Sequence, residues 1–424
     1  MGHLIPSIEF AKQLVHHHHF STTILIPSAA PPTIAQKKVL QILPKTIHYI
    51  FLPPVQLHNE PLSAAFQIFL TVTLSLPSIK HTFASLSTIT RLVSLIVDQF
   101  GIDAIDVAKE FGISPYLFFP SLAMSLLFCL HLPKIDETVT GEYRDLLEPI
   151  QFPGCVPVHG RDLSELFQDR SNKAYKGLID SFKQYGRAEG IIVNSFVDMG
   201  EVAIKALFVN ELGKPPIYSC LQWLDDQPSG SVVFVSSGSG GTLSHDYGQR
   251  FLWVMRNPSD NASAAFFNAH NQNDPFSFLP EGFLERTQGQ GLVVPSWALQ
   301  IEVLSHRATG GFLTHCGWNS TLESIVHGLP LIAWPLFAEQ KMNAVMLTEG
   351  LKVALRPKCH ESRLVGREEI AEVVKSLMEG EDGKEVHRRM GGLRDAAAKV
   401  LSDDGSSAKS LSDLAFKLKN QLKI

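Results

Sequence analysis

The stretch WALQIEVLSHRATGGFLTHCGWNSTLESIVHGLPLIAWPLFAEQK (residues 297–341) decides the fold of this 424-residue chain. Its middle, GGFLTH (310–315), is typical of a buried strand and is followed by the tight, glycine-containing turn CGWN. A helix is predicted next, with Asn319 or Ser320 at its N-cap and Gly328 at its end. A strand, a turn and a helix N-terminus together predict an anion site at the carboxyl edge of a parallel sheet, because free backbone N–H groups and the helix dipole favour negative charge there.

The polar side chains around this turn are suited to a nucleotide that carries a sugar. Trp297 can stack on a planar base, and the Glu323 carboxylate can accept hydrogen bonds from two ribose hydroxyls. Glu339 and Gln340 can bind the neighbouring hydroxyls of a sugar. Side-chain donors for phosphate come from three residues: His315, Asn319 and Ser320. A nucleoside diphosphate sugar would satisfy all of these groups at once.

Composition and charge exclude several other classes of protein. The chain is 45% hydrophobic and 19% charged, as a globular protein is, and its net charge of -5 gives no reason to expect nucleic acid or an anionic membrane as a partner. Its five cysteines form no CxxC pair, which favours a reducing compartment. The most apolar stretch, residues 121–132, is shorter than the ~20 residues that a membrane span needs. We therefore expect a cytoplasmic protein, in which 121–132 is a buried core helix.

Short apolar runs alternate with helical patterns along the chain, which predicts parallel sheets built from βαβ units. Ten strands are predicted, at residues 21–27, 48–53, 92–98, 115–120, 190–195, 231–237, 250–256, 291–297, 310–315 and 329–335. The stretch 214–230 is rich in proline and polar residues and is the predicted domain boundary. This divides the chain into a first domain at 1–213, a linker at 214–230, a second domain at 231–401 and a terminal helix at 402–424.

Residues 297–340 resemble the signature segment of plant secondary-product glycosyltransferases, which use UDP-sugars. The match includes Trp297, Gln300, HCGWNS (315–320), Glu323 and the closing Glu339-Gln340. Two stretches of the first half, GHLIP (2–6) and VDQFGIDAIDVA (97–108), are similar to the subgroup that glucosylates hydroquinone, chlorinated phenols and monolignols. The resemblance implies an α/β protein of the GT-B fold, with two facing Rossmann-like domains, parallel sheets, and the terminal helix crossing back to the first domain.

Carried over by position, the resemblance implies a role for most residues of the donor site. Trp297 would stack on uracil, while Gln300 and Glu323 would hold the ribose. The diphosphate would be held by Ser239, His315, Asn319 and Ser320. The glucose would be held by Trp318, Glu339 and Gln340, with Gln340 favouring glucose over galactose. Ala298 and Gly317 complete the predicted donor-binding residues.

The resemblance also implies how the reaction proceeds. His3 would be the general base that deprotonates an acceptor hydroxyl, and Asp98 would orient it. A single in-line displacement would invert the anomeric carbon of UDP-glucose and give a β-glucoside, with no metal and no other cofactor. The acceptor would be a small phenol lying against aromatic residues, for which Phe100, Phe118 and Phe119 are the candidates. The protein is expected to be a monomer.

This sequence departs from the family pattern in three places. The family has a strand and a Gly-Pro-rich turn before GHLIP, and here the chain starts after them. Only GSGGTLSHDYGQ (238–249) separates two predicted strands where the family has a full helix, and the linker at 214–230 is short. We therefore expect the first N-terminal strand and one helix of the second domain to be missing. Weak UDP-sugar binding and poor turnover are predicted, since marginal stability does not easily absorb such losses.

Two other functions remain as alternatives. One is a catalytically impaired homologue that still binds a UDP-sugar. The other, a nucleotide-sugar epimerase or dehydrogenase, is disfavoured because SSGSGG (236–241) has Leu243 where a dinucleotide fingerprint needs its third glycine. Cys316, beside the phosphate turn, is interpreted as a small packing residue and not as a nucleophile.

Overall fold

The fold is known from a computed structural model of the chain, and in it every pairing between named strands is parallel. The structure describes residues 2–57, 64–152, 155–196, 199, 219–236, 249–255, 276, 279, 282–295, 298–358, 365–402 and 404–420. Strands and helices alternate through both halves, so the α/β class predicted from the sequence is confirmed.

The first half contains five described strands that pair in two separate sheets, β1-β2 and β3-β4-β5. The strands are β1 (Thr22–Ile26), β2 (Ile47–Phe51), β3 (Ser94–Asp98), β4 (Ser114–Phe119) and β5 (Ile191–Val193). The helices are α1 (Leu4–His18), α2 (Ile34–Gln41), α3 (Ala64–Ser87), α4 (Ala104–Glu110), α5 (Ala123–Thr138) and α6 (Lys173–Lys183). Short 3₁₀ turns lie at Tyr143–Asp145, Gly160–Asp162, Glu165–Phe167 and Tyr185–Arg187.

Helix α1 joins the two sheets of the first half. Its Ile8 packs with Ile26 at the end of β1, whereas its Phe10 stacks on Phe118 of β4, with ring centroids 5.3 Å apart. The amphipathic pattern predicted over 7–15 is thus satisfied by a helix that covers both sheets.

The second half is built on one six-stranded sheet in the order β11-β10-β9-β6-β7-β8. Its strands are β6 (Val232–Ser236), β7 (Arg250–Met255), β8 (Gly291–Pro295), β9 (Thr309–Thr314), β10 (Leu331–Ala333) and β11 (Ala354–Leu355). Its helices are α7 (Ser219–Asp225), α8 (Phe283–Arg286), α9 (Gln300–Ser305), α10 (Trp318–His327), α11 (Gln340–Val345), α12 (Arg367–Glu379), α13 (Glu381–Val400) and α14 (Ser406–Asn420), with a π-helical turn at Met346–Gly350.

The strand order reverses between β6 and β9, as it does in doubly wound nucleotide-binding sheets. Every residue of β6 and of β9 is buried, because helices cover both faces of this sheet. Phe234 and Phe312 stack across the pair with ring centroids 4.9 Å apart. The crevice at the carboxyl ends of β6 and β9 is therefore the place where this architecture binds ligands.

Each of the ten predicted stretches overlaps a strand, and the sequence missed only the two-residue β11 among the described strands. Most of the apolar run 121–132 lies in α5, which begins at Ala123, and seven residues of that helix are buried, as expected of a core helix. Leu411 and Leu418 of α14 pack in one cluster with Phe10 and Leu14 of α1.

Parts of the predicted organisation lie outside the described residues. The segment between β6 and β7, where we expect a missing helix, is one of them, and so are residues 214–218 of the linker. Across the described part of the chain, no helix combines the length and the apolar character that crossing a membrane requires.

Candidate active site

The phosphate turn predicted from the sequence lies at the carboxyl end of β9, between Thr314 and the first residue of α10. The N-cap of α10 is Gly317, and not Asn319 or Ser320 as predicted, so the helix begins earlier than expected. A Cβ atom on Gly317 would lie 2.2 Å from Nε2 of His315. The imidazole is therefore packed directly over Gly317 at the mouth of the helix, and only glycine leaves room for it there.

The buried side chain of Asn343 holds this turn through a hydrogen bond. Asn343 Nδ2 donates to the Cys316 carbonyl at 2.9 Å, and Cys316 has a left-handed backbone with φ of 62°. Burial raises the pKa of the Cys316 thiol to about 12, so the thiol stays protonated at neutral pH. This agrees with its interpretation as a packing residue.

Three predicted donor residues form one hydrogen-bonded cluster on α9 and α10. Gln300 Nε2 donates to Ser320 Oγ at 2.8 Å and to Glu323 Oε2 at 2.6 Å. Burial raises the pKa of Glu323 to about 7, against the lowering effect of the Gln300 hydrogen bond, and the nearby charge of Glu302 raises it further. Glu323 is thus a carboxyl group that changes charge near neutral pH and keeps one oxygen outside the contact with Gln300.

Gln340 has a different environment from the one predicted. Its Oε1 accepts the backbone N–H groups of Leu336 (2.9 Å) and Phe337 (3.0 Å), and its side chain is buried. The oxygen of Gln340 therefore braces the turn at 336–340 and is not free for a sugar, which corrects part of the predicted role. Glu339 is partly exposed and lies directly before α11.

Trp318 also has a different role from the one predicted for its side chain. The indole is buried, and its Nε1 donates to the Asn194 carbonyl at 2.6 Å, just after the end of β5. The side chain therefore connects the two halves of the protein instead of facing a sugar. This contact places the N-terminus of α10 against the carboxyl end of the first half's sheet.

The two predicted catalytic residues are brought together by the fold. His3 Nδ1 lies 2.8 Å from Asp98 Oδ2, at the carboxyl end of β3. Asp98 Oδ1 accepts the backbone N–H groups of Phe100 at 3.0 Å and Gly101 at 3.1 Å. Burial raises the pKa of Asp98, but the hydrogen bond and charge of His3 and these two N–H groups outweigh it, so the pKa is lowered.

This carboxylate sets the tautomer of the histidine. Because Asp98 is ionised at neutral pH, it can only accept, and Nδ1 of His3 must carry the proton. The lone pair is then on Nε2, on the opposite side of the ring. The backbone of His3 is held by Ser7, whose Oγ donates to the His3 carbonyl at 2.7 Å.

The three aromatic residues predicted to contact the acceptor differ in their surroundings. Phe100 stacks on the His3 ring, with centroids 5.1 Å apart and the planes 22° from parallel. Phe118 and Phe119 are both buried, Phe118 against Phe10 and Phe119 in the main core. The last two are therefore packing residues, and the prediction that they form acceptor walls is corrected.

A direct contact joins the histidine to the phosphate turn. Asn319 Nδ2 lies 3.4 Å from the carbonyl oxygen of Gly2, the residue before His3. The general-base candidate and the N-terminus of α10 are thus adjacent. Ala298 is buried at the start of α9, whereas the predicted residues Ser239 and Trp297 lie outside the described residues.

Four residues with a clear structural role in the site were missed by the sequence reasoning. They are Ser7, Glu165, Asn194 and Asn343. Ser7 follows GHLIP and Asn343 follows AEQ, so both lie beside motifs that were recognised. Nothing in the local sequence marks Glu165 or Asn194, since both act on a segment more than 100 residues away.

Comparison with known proteins identifies the family. The family model described as UDP-glucoronosyl and UDP-glucosyl transferase matches residues 247–395. Over its full length the chain is 53% identical to a hydroquinone glucosyltransferase of Rauvolfia serpentina, of which it covers 96%. The chain belongs to the UDP-glycosyltransferases. It is also 52% identical to UDP-glycosyltransferase 72B1 of Arabidopsis thaliana, with 99% of this glycosyltransferase and 94% of that protein aligned.

Solved structures confirm the GT-B fold of this glycosyltransferase. It resembles a UDP-glucosyltransferase from Polygonum tinctorium, capable of glucosylating indoxyl and solved in complex with 3,4-dichloroaniline, with a TM-score of 0.91 and 48% identity over 99% of this chain and 96% of that one. Phytolacca americana UGT2, complexed with UDP-2fluoro-glucose and pterostilbene, gives a TM-score of 0.90 and 49% identity over 99% and 97%. The protein is therefore a glycosyltransferase enzyme with two Rossmann-like domains.

Proposed function

We propose that this glycosyltransferase transfers glucose from UDP-glucose to the hydroxyl of a small phenol and forms a β-glucoside. The observation that carries the proposal is the pairing of His3 with Asp98 beside the N-terminus of α10. A base next to an anion site is what a displacement of UDP by a hydroxyl needs. The relative from Rauvolfia serpentina bears the name hydroquinone glucosyltransferase, which supports a hydroquinone-like acceptor, and a monolignol-like acceptor is proposed as the alternative.

The donor is proposed to bind to the second half, with its diphosphate at the start of α10. Gln300 and Glu323 hold the ribose, and Trp297 stacks on uracil. The diphosphate takes its donors from Ser239, His315, Asn319, Ser320 and the backbone at Gly317. Glu339 holds the sugar, while Gln340 keeps the turn around it in shape. The acceptor binds to the first half beside Phe100.

His3 is proposed to take the proton from the acceptor hydroxyl through Nε2. The new positive charge on the imidazole is stabilised by the Asp98 carboxylate 2.8 Å away. The acceptor oxygen attacks the anomeric carbon as the bond to the diphosphate breaks, so the α-linked donor gives a β-linked product. Negative charge on the leaving UDP is stabilised by the helix N-terminus and His315, and no metal or other cofactor takes part in the proposed reaction.

One observation favours a second function, a UDP-sugar-binding homologue with impaired catalysis. His3 is the last residue before α1, and α1 rests on two separate sheets instead of one continuous sheet. A base held on such a scaffold is less well fixed than one on a continuous sheet, and misplacement by ~1 Å costs about a hundredfold in rate. Binding would then persist, because Gln300, Asn319, Ser320 and Glu323 lie on helices of the second half, which is built on one continuous six-stranded sheet.

One experiment separates the two functions. UDP and UDP-glucose are titrated into the protein by calorimetry, and hydroquinone turnover is followed by chromatography, with the anomeric configuration of the product read by NMR. We expect weak binding of both ligands and slow formation of a β-glucoside, with UDP-galactose as the control for donor choice. Binding without product supports the impaired homologue, and absence of UDP binding contradicts both.

The surroundings of the enzyme are part of the same proposal. We infer a monomer in the cytoplasm, and the free thiols of Cys129, Cys155, Cys220 and Cys316 support the reducing compartment. Size-exclusion chromatography with light scattering tests the monomer, and fractionation of the expressing cells tests the location.

A further inference from the structure

A short arm of the first half reaches over to the second half beside the sugar-binding turn. We define the arm as residues 160–168, which contain the 3₁₀ turns Gly160–Asp162 and Glu165–Phe167. Gln168 braces it from within, because its Nε2 donates to the carbonyls of Gly160 (2.8 Å) and Leu163 (3.0 Å). The arm therefore has a fixed internal shape.

The arm is also fastened to the core of the first half. Phe167 is buried and meets Phe128 of α5 edge to face, with centroids 5.1 Å apart. Gly160 lies so close to the chain that a Cβ there would be 1.7 Å from the Tyr143 carbonyl oxygen. An arm anchored in this way holds the carboxylates of Asp162 and Glu165 at fixed positions.

Glu165 uses its two oxygens to hold the turn at 336–340. Oε2 accepts the backbone N–H of Ala338 at 3.1 Å, and Oε1 pairs with Lys341 Nζ at 2.8 Å. Ala338 has a left-handed backbone with φ of 55°, which is uncommon for a residue with a Cβ. Such a conformation persists when the surroundings hold it in place.

The turn is thus held from two sides. Gln340 braces it from within the second half, through the N–H groups of Leu336 and Phe337. Glu165 holds it from the first half, at the residue directly before Glu339. Because Glu339 is the group proposed to bind the sugar, its position depends on a contact between the two halves.

We propose that Glu165 is a positioning residue that sets the sugar-binding turn when the two halves are together. This inference rests on the proposed function, since it assumes that the turn holds the sugar of the donor. The ribose-binding candidates Gln300 and Glu323 are held differently, by the hydrogen bonds that Gln300 makes to Glu323 and Ser320 within α9 and α10. Glu165 therefore governs affinity for the sugar part of the donor and leaves affinity for UDP itself unchanged.

The test compares the affinities for UDP and for UDP-glucose in one set of variants. Glu165→Ala removes both contacts and is expected to weaken UDP-glucose binding about tenfold, because it deletes a charged hydrogen bond that shapes the turn. UDP affinity is expected to stay within about twofold. Glu165→Gln keeps an oxygen for the Ala338 N–H and should restore most of the UDP-glucose affinity. Lys341→Met removes only the ion pair and shows what that pair contributes to UDP-glucose affinity.

Asp162→Asn is the matched control. Asp162 lies on the same arm and pairs with Arg356 of the second half at 3.2 Å, a partner outside the turn at 336–340. A loss of general contact between the halves would affect Asp162→Asn and Glu165→Ala alike, whereas the proposal expects only Glu165→Ala to change the ratio of the two affinities. Thermal denaturation of each variant checks that it is folded.

The outcomes distinguish this inference from the proposed function. A Glu165→Ala variant with the wild-type ratio of UDP-glucose to UDP affinity overturns the inference alone, and so does an equal change in Asp162→Asn. A wild-type protein that binds neither UDP nor UDP-glucose overturns the proposed function and this inference with it. A selective loss of UDP-glucose affinity, restored by glutamine, supports the inference.

Discussion

His3 Nδ1 lies 2.8 Å from Asp98 Oδ2, although the two residues are 95 positions apart in the chain. The carboxylate is fixed by the N–H groups of Phe100 and Gly101, and the Phe100 ring stacks on the imidazole. The ring of His3 is therefore held at one edge and on one face, which leaves Nε2 as its acceptor. Both the charge and the orientation of this pair can be tested separately from donor binding.

Replacement of Asp98 by asparagine should reduce turnover without affecting the donor. An amide in place of the carboxylate removes the charge that stabilises the imidazolium and permits the wrong tautomer of His3, so kcat should fall by about 10²–10⁴. UDP affinity should not change, because Asp98 lies on the first half. His3→Ala should abolish turnover in the same way. Steady-state rates with hydroquinone and calorimetry with UDP measure the two effects, and an Asp98→Asn variant with near wild-type kcat contradicts the assignment.

The pKa of Glu323 predicts that the pH dependence of UDP binding has its midpoint near 7. The ionised carboxylate accepts hydrogen bonds from ribose hydroxyls better than the protonated form does, so affinity for UDP should increase as the pH rises through about 7. Calorimetry over a pH series that brackets this midpoint measures the increase. In Glu323→Gln, UDP binding should be weaker and nearly independent of pH over the same range.

Glu323 should also lower the free energy of unfolding of the enzyme without ligand. Because the folded pKa of about 7 exceeds the ordinary value of 4.5, the folded protein holds this proton more tightly than the unfolded chain does. The stabilising effect of the Glu323 proton on the folded state therefore decreases as the pH rises from about 4.5 to 7, and this effect is lost above pH 7. Glu323→Gln should be more stable than wild type by roughly 1–3 kcal/mol at about pH 8, with little difference at low pH. Urea denaturation on either side of this range measures the effect, and an equal difference at both ends would falsify it.

The sequence was most informative where the chemistry is local. Strand β6 is a nearly continuous apolar run because both of its faces are buried, so it could be predicted from residues 231–237. The phosphate turn could be predicted because strand, glycine and helix follow each other directly in the sequence. The pairing of His3 with Asp98 came from the resemblance, since no local pattern joins residues so far apart.

Contacts between distant segments could not be predicted. Trp318 was expected to contact the sugar, but its indole N–H donates to a backbone carbonyl of the first half. That carbonyl becomes a neighbour only when the two halves pack together. Gln340 was expected to bind glucose, but the turn before it has two N–H groups that need an acceptor. Phe118 and Phe119 point to opposite faces of β4, and both faces are buried.

Gly317→Ala should impair the donor site while preserving the fold. The added methyl would lie 2.2 Å from His315 Nε2, so the imidazole must leave its place over the helix mouth. Since His315 is proposed to bind the diphosphate, UDP affinity should fall at least about tenfold. Gly391→Ala is the matched control, because Gly391 lies in α13 and a methyl added there would meet no atom of the described residues within 4 Å. It should leave UDP binding unchanged and stabilise the protein by about 0.5–1 kcal/mol.

Trp318→Phe should show how much the hydrogen bond between the two halves contributes to the stability of the protein. The phenyl ring keeps most of the buried apolar area but cannot donate to the Asn194 carbonyl, which then loses a 2.6 Å hydrogen bond. The free energy of unfolding should fall by about 1 kcal/mol, as expected when a partly buried carbonyl loses its hydrogen-bond donor. Trp223→Phe is the control, since Trp223 lies on α7 and is half-buried. Urea denaturation compares the two variants, and equal losses in both would show that the hydrogen bond to Asn194 contributes nothing beyond the size of the ring.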